Sequence, residues 1–114
     1  MTAPNPFVSD LFDADRPVIG MVHLPALPGA PGFDGDREAI RTRALEDARR
    51  LEAGGIDGII LENFGDTPFY PEDVPKHVVA EMTAIATPLV DAVDVPVGIN
   101  VLRNDAAAAL SVAA

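Results

Sequence analysis

Three short apolar runs recur along the chain, Val18-Ile-Gly-Met-Val-His-Leu24, Gly58-Ile-Ile-Leu61 and Val97-Gly-Ile-Asn-Val-Leu102. Each is rich in β-branched residues, and each breaks into polar or loop-forming positions at its C-terminal end. Continuous apolar runs of this length read as strands buried on both faces. Between them the period changes to that of a helix. Asp36 is placed to cap a helix over Arg37–Ala53, in which Ile40, Ala44, Ala48 and Leu51 form one apolar stripe. Gly54-Gly55 ends that helix and Asp57-Gly58 turns the chain into the second run. A second helix starts near Pro75 and aligns Val78, Met82, Ile85, Leu89 and Val93, with Pro88 expected to kink or shorten it. Asn104 or Asp105 then caps a third, Ala-rich helix reaching Ala114. Strand, crossover helix and strand at a regular step predict right-handed βαβ units and a parallel α/β sheet in the order one, two, three.

The remaining segments are loops. Residues 1–16 are polar and proline-rich, with Phe7, Leu11 and Phe12 as anchors, and read as an N-terminal arm or short capping turn. Pro25, Pro28 and Pro31 with Gly29 and Gly32 make a stiff strand-to-helix loop rather than a polyproline ligand. The segment Glu62-Asn-Phe-Gly-Asp-Thr-Pro-Phe69 is the most informative stretch of the chain. A buried strand that runs straight into acid, amide, aromatic and glycine is building the rim of a small-molecule site, because ligands of parallel α/β folds sit at strand C-termini.

Strand parity selects the candidates. His23 shares a face with Met21 and Ile19, Glu62 with Ile60, and Asn100 with Gly98, so His23, Glu62 and Asn100 are expected to converge. His23 suits general acid–base work, since its ordinary pKa lies near neutrality; the alternative is a hydrogen-bonded histidine at a strand end. Glu62 is costly at the end of an apolar strand without a partner. It reads as a base, a hydroxyl acceptor or a metal ligand, and otherwise as the ion-pair partner of Arg103. Asn63, Asp66, Asn100, Arg103 and Asp105 are expected to position substrate, although the amides could equally be structural caps and Arg103 could pair with Asp105. Oxygen ligands from Glu62, Asp66 and Asp105 with His23 would suit magnesium or manganese, but no spacing enforces a metal site and none is assigned. The residues name no cofactor. Phosphate-loop and dinucleotide fingerprints are absent. All six aromatics lie outside the predicted helices and strands, and Phe64, Phe69 and Tyr70 could cover a ligand. His77, at the start of the second helix, reads as solvated.

Composition narrows the partners. With 18 acids against 8 bases the net charge is −10, which disfavours nucleic acid. Asp outnumbers Glu two to one, and Lys76 stands alone beside seven arginines. A carboxylate-rich, lysine-poor surface suits a halophile's cytoplasm at molar salt, where self-repulsion is screened; an Ala- and Arg-rich genome bias is the alternative. The absence of cysteine, of a signal sequence and of a membrane-length apolar run predicts a cytoplasmic protein.

The motifs Val18-Ile-Gly-Met-Val-His-Leu-Pro-Ala-Leu-Pro-Gly29, Gly54-Gly-Ile-Asp-Gly-Ile-Ile-Leu-Glu-Asn-Phe-Gly-Asp-Thr-Pro-Phe69 and Pro96-Val-Gly-Ile-Asn-Val-Leu-Arg-Asn-Asp105 resemble the BtpA/SgcQ family. The resemblance implies a TIM barrel of the ribulose-phosphate-binding type. It also implies either an enzyme acting on a phosphorylated sugar or nucleoside-like small molecule, or a non-catalytic assembly factor of the photosystem I biogenesis kind. It certifies no catalytic residue, because the family's chemistry is not settled. A full barrel needs about 250 residues. The expectation is therefore a domain over residues 17–114 that holds three of eight βα units, and a chain inactive alone that needs the C-terminal half of the barrel or self-association.

Overall fold

Ile19–His23 (β1), Gly58–Glu62 (β2) and Val97–Asn100 (β3) pair in parallel, in the order β1-β2-β3. A computed structural model describes residues 6–12 and 14–114, and the side chains of Pro6 and Phe7 lie outside the description. The register aligns His23 with Glu62 and Glu62 with Asn100 across the strand ends. Arg37–Ala53 (α2), Lys76–Ala92 (α3) and Ala106–Ala113 (α4) follow the strands in turn, and the short helix Pro6–Leu11 (α1) precedes them. The arm is thus more than a turn. Phe7, one of its three expected anchors, belongs to α1, a helix that the sequence pattern did not predict. Phe12 packs where a Cβ on Gly58 would come within 2.8 Å of its ring, at the start of β2.

The helices cover one face of the sheet. Val22, Ile59 and Leu61 point into a core completed by Ile40, Ala44 and Ala48 of α2 and Val78, Met82, Ile85 and Leu89 of α3. Alanines at the α2 contact let the helix approach closely, and Gly20 extends this, since a Cβ there would sit 3.0 Å from Leu51. On the opposite face Ile19 and Met21 of β1 are 37% and 40% exposed. This is the face that the remaining strands fill in a closed barrel. The three βα units form the N-terminal part of such a barrel.

Local chemistry accounts for the boundaries. Asp36 accepts from the Ala39 amide at 3.0 Å as the α2 N-cap. At the other end Gly55 takes φ +93°, while the Gly55 and Ile56 amides donate to the Glu52 and Leu51 carbonyls, a Schellman closure. Asp105, rather than Asn104, caps α4 through the Ala108 amide, and Asn104 adopts φ +66° beside it. Pro88 does not shorten α3, which continues to Ala92. Among the described residues no helix is long and apolar enough to cross a membrane.

Candidate functional site

The row predicted by parity is present. Glu62 stands between its two register partners at the C-terminal edge of the open face, with its side chain only 11% exposed. Asn100 Nδ2 donates to Glu62 Oε2 at 2.5 Å. His23 Nε2 lies 3.5 Å from Glu62 Oε1. The Phe64 ring stacks on the His23 imidazole with centroids 4.4 Å apart and planes 12° from parallel. One carboxylate oxygen is thereby oriented by an amide and the other faces a titratable ring, while the aromatic restricts how that ring can turn. Glu62 pairs with Asn100 and His23, not with Arg103.

The other candidates face elsewhere. Asn63 has the opposite parity to Glu62 and is buried. Its Oδ1 accepts from the Leu102 amide at 2.7 Å, and its Nδ2 donates to the Leu102 carbonyl at 3.2 Å, which binds the loop after β2 to the loop after β3. Asp66 Oδ1 accepts from the Leu27 amide at 2.7 Å and so holds the loop after β1. Asp105 Oδ2 accepts from the Val74 amide at 2.8 Å, while its Oδ1 caps α4. Gly65 completes this framework. Its amide donates to the Leu24 carbonyl, and a Cβ would overlap the backbone at Leu24, Pro25 and Ala26. Arg103 is exposed, fixed through its backbone to Tyr70 and Glu72; among the described residues its guanidinium meets no carboxylate.

These surroundings set the acidities in opposite directions. Burial pushes the Asp66 carboxyl above its ordinary value, against the pull of the Leu27 amide, Asn63 and His77. The Ala108 and Val74 amides hold Asp105 below its ordinary value. Sequence reading placed His77 in solvent and missed its neighbour. It is exposed, as expected, but its ring rests against Gly29 across the loop after β1. Nothing in a lone histidine after a proline signals that contact. Among the described residues no three His, Asp or Glu side chains are grouped as a metal cage requires. Asp66 and Asp105 are engaged with backbone amides rather than gathered around Glu62 and His23.

The model of the BtpA family matches residues 14–114, which contain every element from β1 onward. The chain belongs to the BtpA family. An uncharacterized Archaeoglobus fulgidus protein is 52% identical over 99 residues, covering 87% of this chain and 39% of that protein. The photosystem I biogenesis protein BtpA of Synechocystis is 50% identical over 102 residues, 90% of this chain and 36% of its own length. An uncharacterized Pyrococcus horikoshii protein is 46% identical over 99 residues, with coverage of 87% and 38%. This BtpA-family chain therefore spans under two-fifths of those relatives. No solved structure matches it significantly.

Proposed function

We propose that the barrel to which these three units belong is an enzyme acting on a small, phosphorylated sugar or nucleoside-like molecule, with His23 and Glu62 as its proton-handling pair. The observation that carries this proposal is the His23–Glu62–Asn100 row. A nearly buried carboxylate, set by an amide and placed beside an imidazole, faces the open side of the sheet at the strand C-termini. Such an arrangement supports proton abstraction or donation next to a substrate hydroxyl or carbonyl. Asn100 positions the carboxylate, and Phe64 shields the ring. Among the described residues the Arg103 guanidinium meets no carboxylate, and at this rim it is suited to an anionic group on the substrate. In this assignment Asn63, Asp66 and Asp105 act one step removed, by holding the loops that shape the site. The acidic surface belongs to a cytoplasmic protein of a high-salt organism.

The test is a full-length barrel in which residues 14–114 replace the matching segment of the Archaeoglobus fulgidus relative. The chimera is screened for turnover of sugar phosphates and nucleosides, and then compared with Glu62→Gln and His23→Gln. Each variant should lose about 10²- to 10⁴-fold in turnover with an unchanged melting temperature. Full turnover in both variants would overturn the assignment. A second reading rests on the name of the Synechocystis relative: a non-catalytic factor that binds a protein assembly. That function would survive loss of both side chains.

A further inference from the structure

Behind the strand ends, on the side of β2 away from the Glu62 carboxylate, the loops enclose a cavity of about 300 Å³. His23, Glu62 and Asn100 do not line it. Its walls come from Pro28 and Pro31 of the first loop, from Pro68 to Pro71 and Val74 of the second, and from Val78 at the start of α3. The size falls at the lower end of the roughly 300–1,000 Å³ typical of ligand pockets, which combine apolar walls with a few convergent polar groups. Here those groups are Asn63, Asp66, Tyr70 and His77.

Their hydrogen bonds show which of them is available. Asn63 gives both ends of its amide to Leu102. Asp66 spends Oδ1 on the Leu27 amide, but Oδ2 has only a long 3.4 Å contact from Asn63. A carboxylate offers about four acceptor positions, so most of the capacity of Oδ2 is unused at the cavity wall. His77 stands against Gly29, where a Cβ would come within 2.4 Å of the imidazole and the φ of +95° disfavours any side chain. A carboxylate at the wall repels anions and selects N–H donors. The proline and aromatic side chains of the walls offer apolar faces on which a flat ring can stack.

We propose that this cavity is a second small-molecule site, which binds a flat nitrogen heterocycle of the nucleobase class by N–H donation to Asp66, with Tyr70, His77 and the prolines as walls. The site is independent of the proton-handling role given to His23 and Glu62. Calorimetric titration of the full chain, and of the barrel chimera, with adenine, cytosine and hypoxanthine tests it, with inorganic phosphate and ribose 5-phosphate as anionic probes. At least one of the three nitrogen heterocycles should bind. Asp66→Asn should weaken that binding by about tenfold or more, the loss expected for a hydrogen bond to a charged acceptor, and Ala30→Phe should abolish it by filling the cavity. Glu62→Gln should leave it unchanged. Each variant is melted alongside, so that a loss of fold is distinguished from a loss of binding. Binding of the anions in place of the heterocycles, no heterocycle binding by folded protein, or affinity indifferent to both Asp66→Asn and Ala30→Phe would overturn the proposal.

Discussion

At the scale of single residues, the buried Asp66 and Asp105 do similar work with opposite proton linkage. Both tie a loop by accepting a backbone amide, yet Asp66 is held above the ordinary value of 3.8 and Asp105 below it. For Asp105 the depressed folded-state pKa means that its contribution is present above the unfolded value and lost as pH falls through the folded one. For Asp66 the raised pKa means that its contribution is present below the unfolded value and lost as pH rises through the folded one. Melts from about pH 7 to about pH 2 should therefore separate the two variants. Asp105→Asn should cost stability at neutral pH, and the deficit should shrink on acidification. Asp66→Asn should be neutral or stabilising at pH 7, because it removes a desolvated charge, and that advantage should fade in acid. Parallel curves for the two variants would contradict the opposed linkages. The face of each site residue was legible in the sequence, since period-two alternation dictates it, and so His23, Glu62 and Asn100 could be grouped in advance. The partners of Asn63, Asp66 and Asp105 were not legible. Each accepts an amide 31 to 39 residues away, and no local pattern encodes which distant N–H a carboxylate or amide will find.

At the scale of elements, the same device recurs at both ends of the sheet. Glu52, at the end of α2, accepts the Asp94 amide at 2.5 Å before β3, and Asp57 accepts the Val18 amide at 2.8 Å before β1. Part of the acid excess is therefore structural, which weakens any reading of that excess as surface charge alone. Strands and helices were predictable because their periods and caps agree: Asp36, Gly54-Gly55 and the Ile40–Leu51 stripe all point to one helix. Pro88 does not end the helix because a helix whose apolar face is already packed tolerates the loss of one backbone bond, and Val78, Met82, Ile85 and Leu89 provide that packing. Gly65 is a point where two units touch closely. Gly65→Ala should drive the loop after β2 off the Leu24–Ala26 backbone and cost about 3 kcal/mol, at the upper end of overpacking penalties, with loss of the His23–Phe64 stack as a secondary effect. A chemical melt, together with the fluorescence or NMR signature of Phe64 against His23, checks this. A change below about 1 kcal/mol would mean that the loop contact is looser than its geometry implies.

At the scale of the whole molecule, charge and exposed surface determine solution behaviour. A net charge of −10 should make the melting temperature rise between about 0.1 M and 1 M salt, as the screening length falls from about 10 to 3 Å; a flat response would assign the composition to genome bias instead. The open face of the sheet makes a stronger demand. Ile19 and Met21 are 37% and 40% exposed on it, Val90 and Leu110 are 51% and 71% exposed elsewhere, and among the described residues β3 pairs with β2 alone. An unpaired parallel edge beside bare aliphatic side chains is a template for another chain. In a closed barrel the neighbouring strands and their inward side chains cover both, and the curated relatives extend well beyond the segment matched here. For the 114-residue chain in isolation, the surface available to cover this face is a second copy of itself. The purified chain should therefore sediment as a dimer or larger species at micromolar concentration, and its melting midpoint should rise with protein concentration as mass action requires. Met21→Glu and Ile19→Lys, which place charge on the open face and leave the helix-side core intact, should shift the mass toward monomer and remove that concentration dependence. A monodisperse monomer with a cooperative, concentration-independent melt would show that three βα units bury enough apolar surface to stand alone, and that the open face needs no partner.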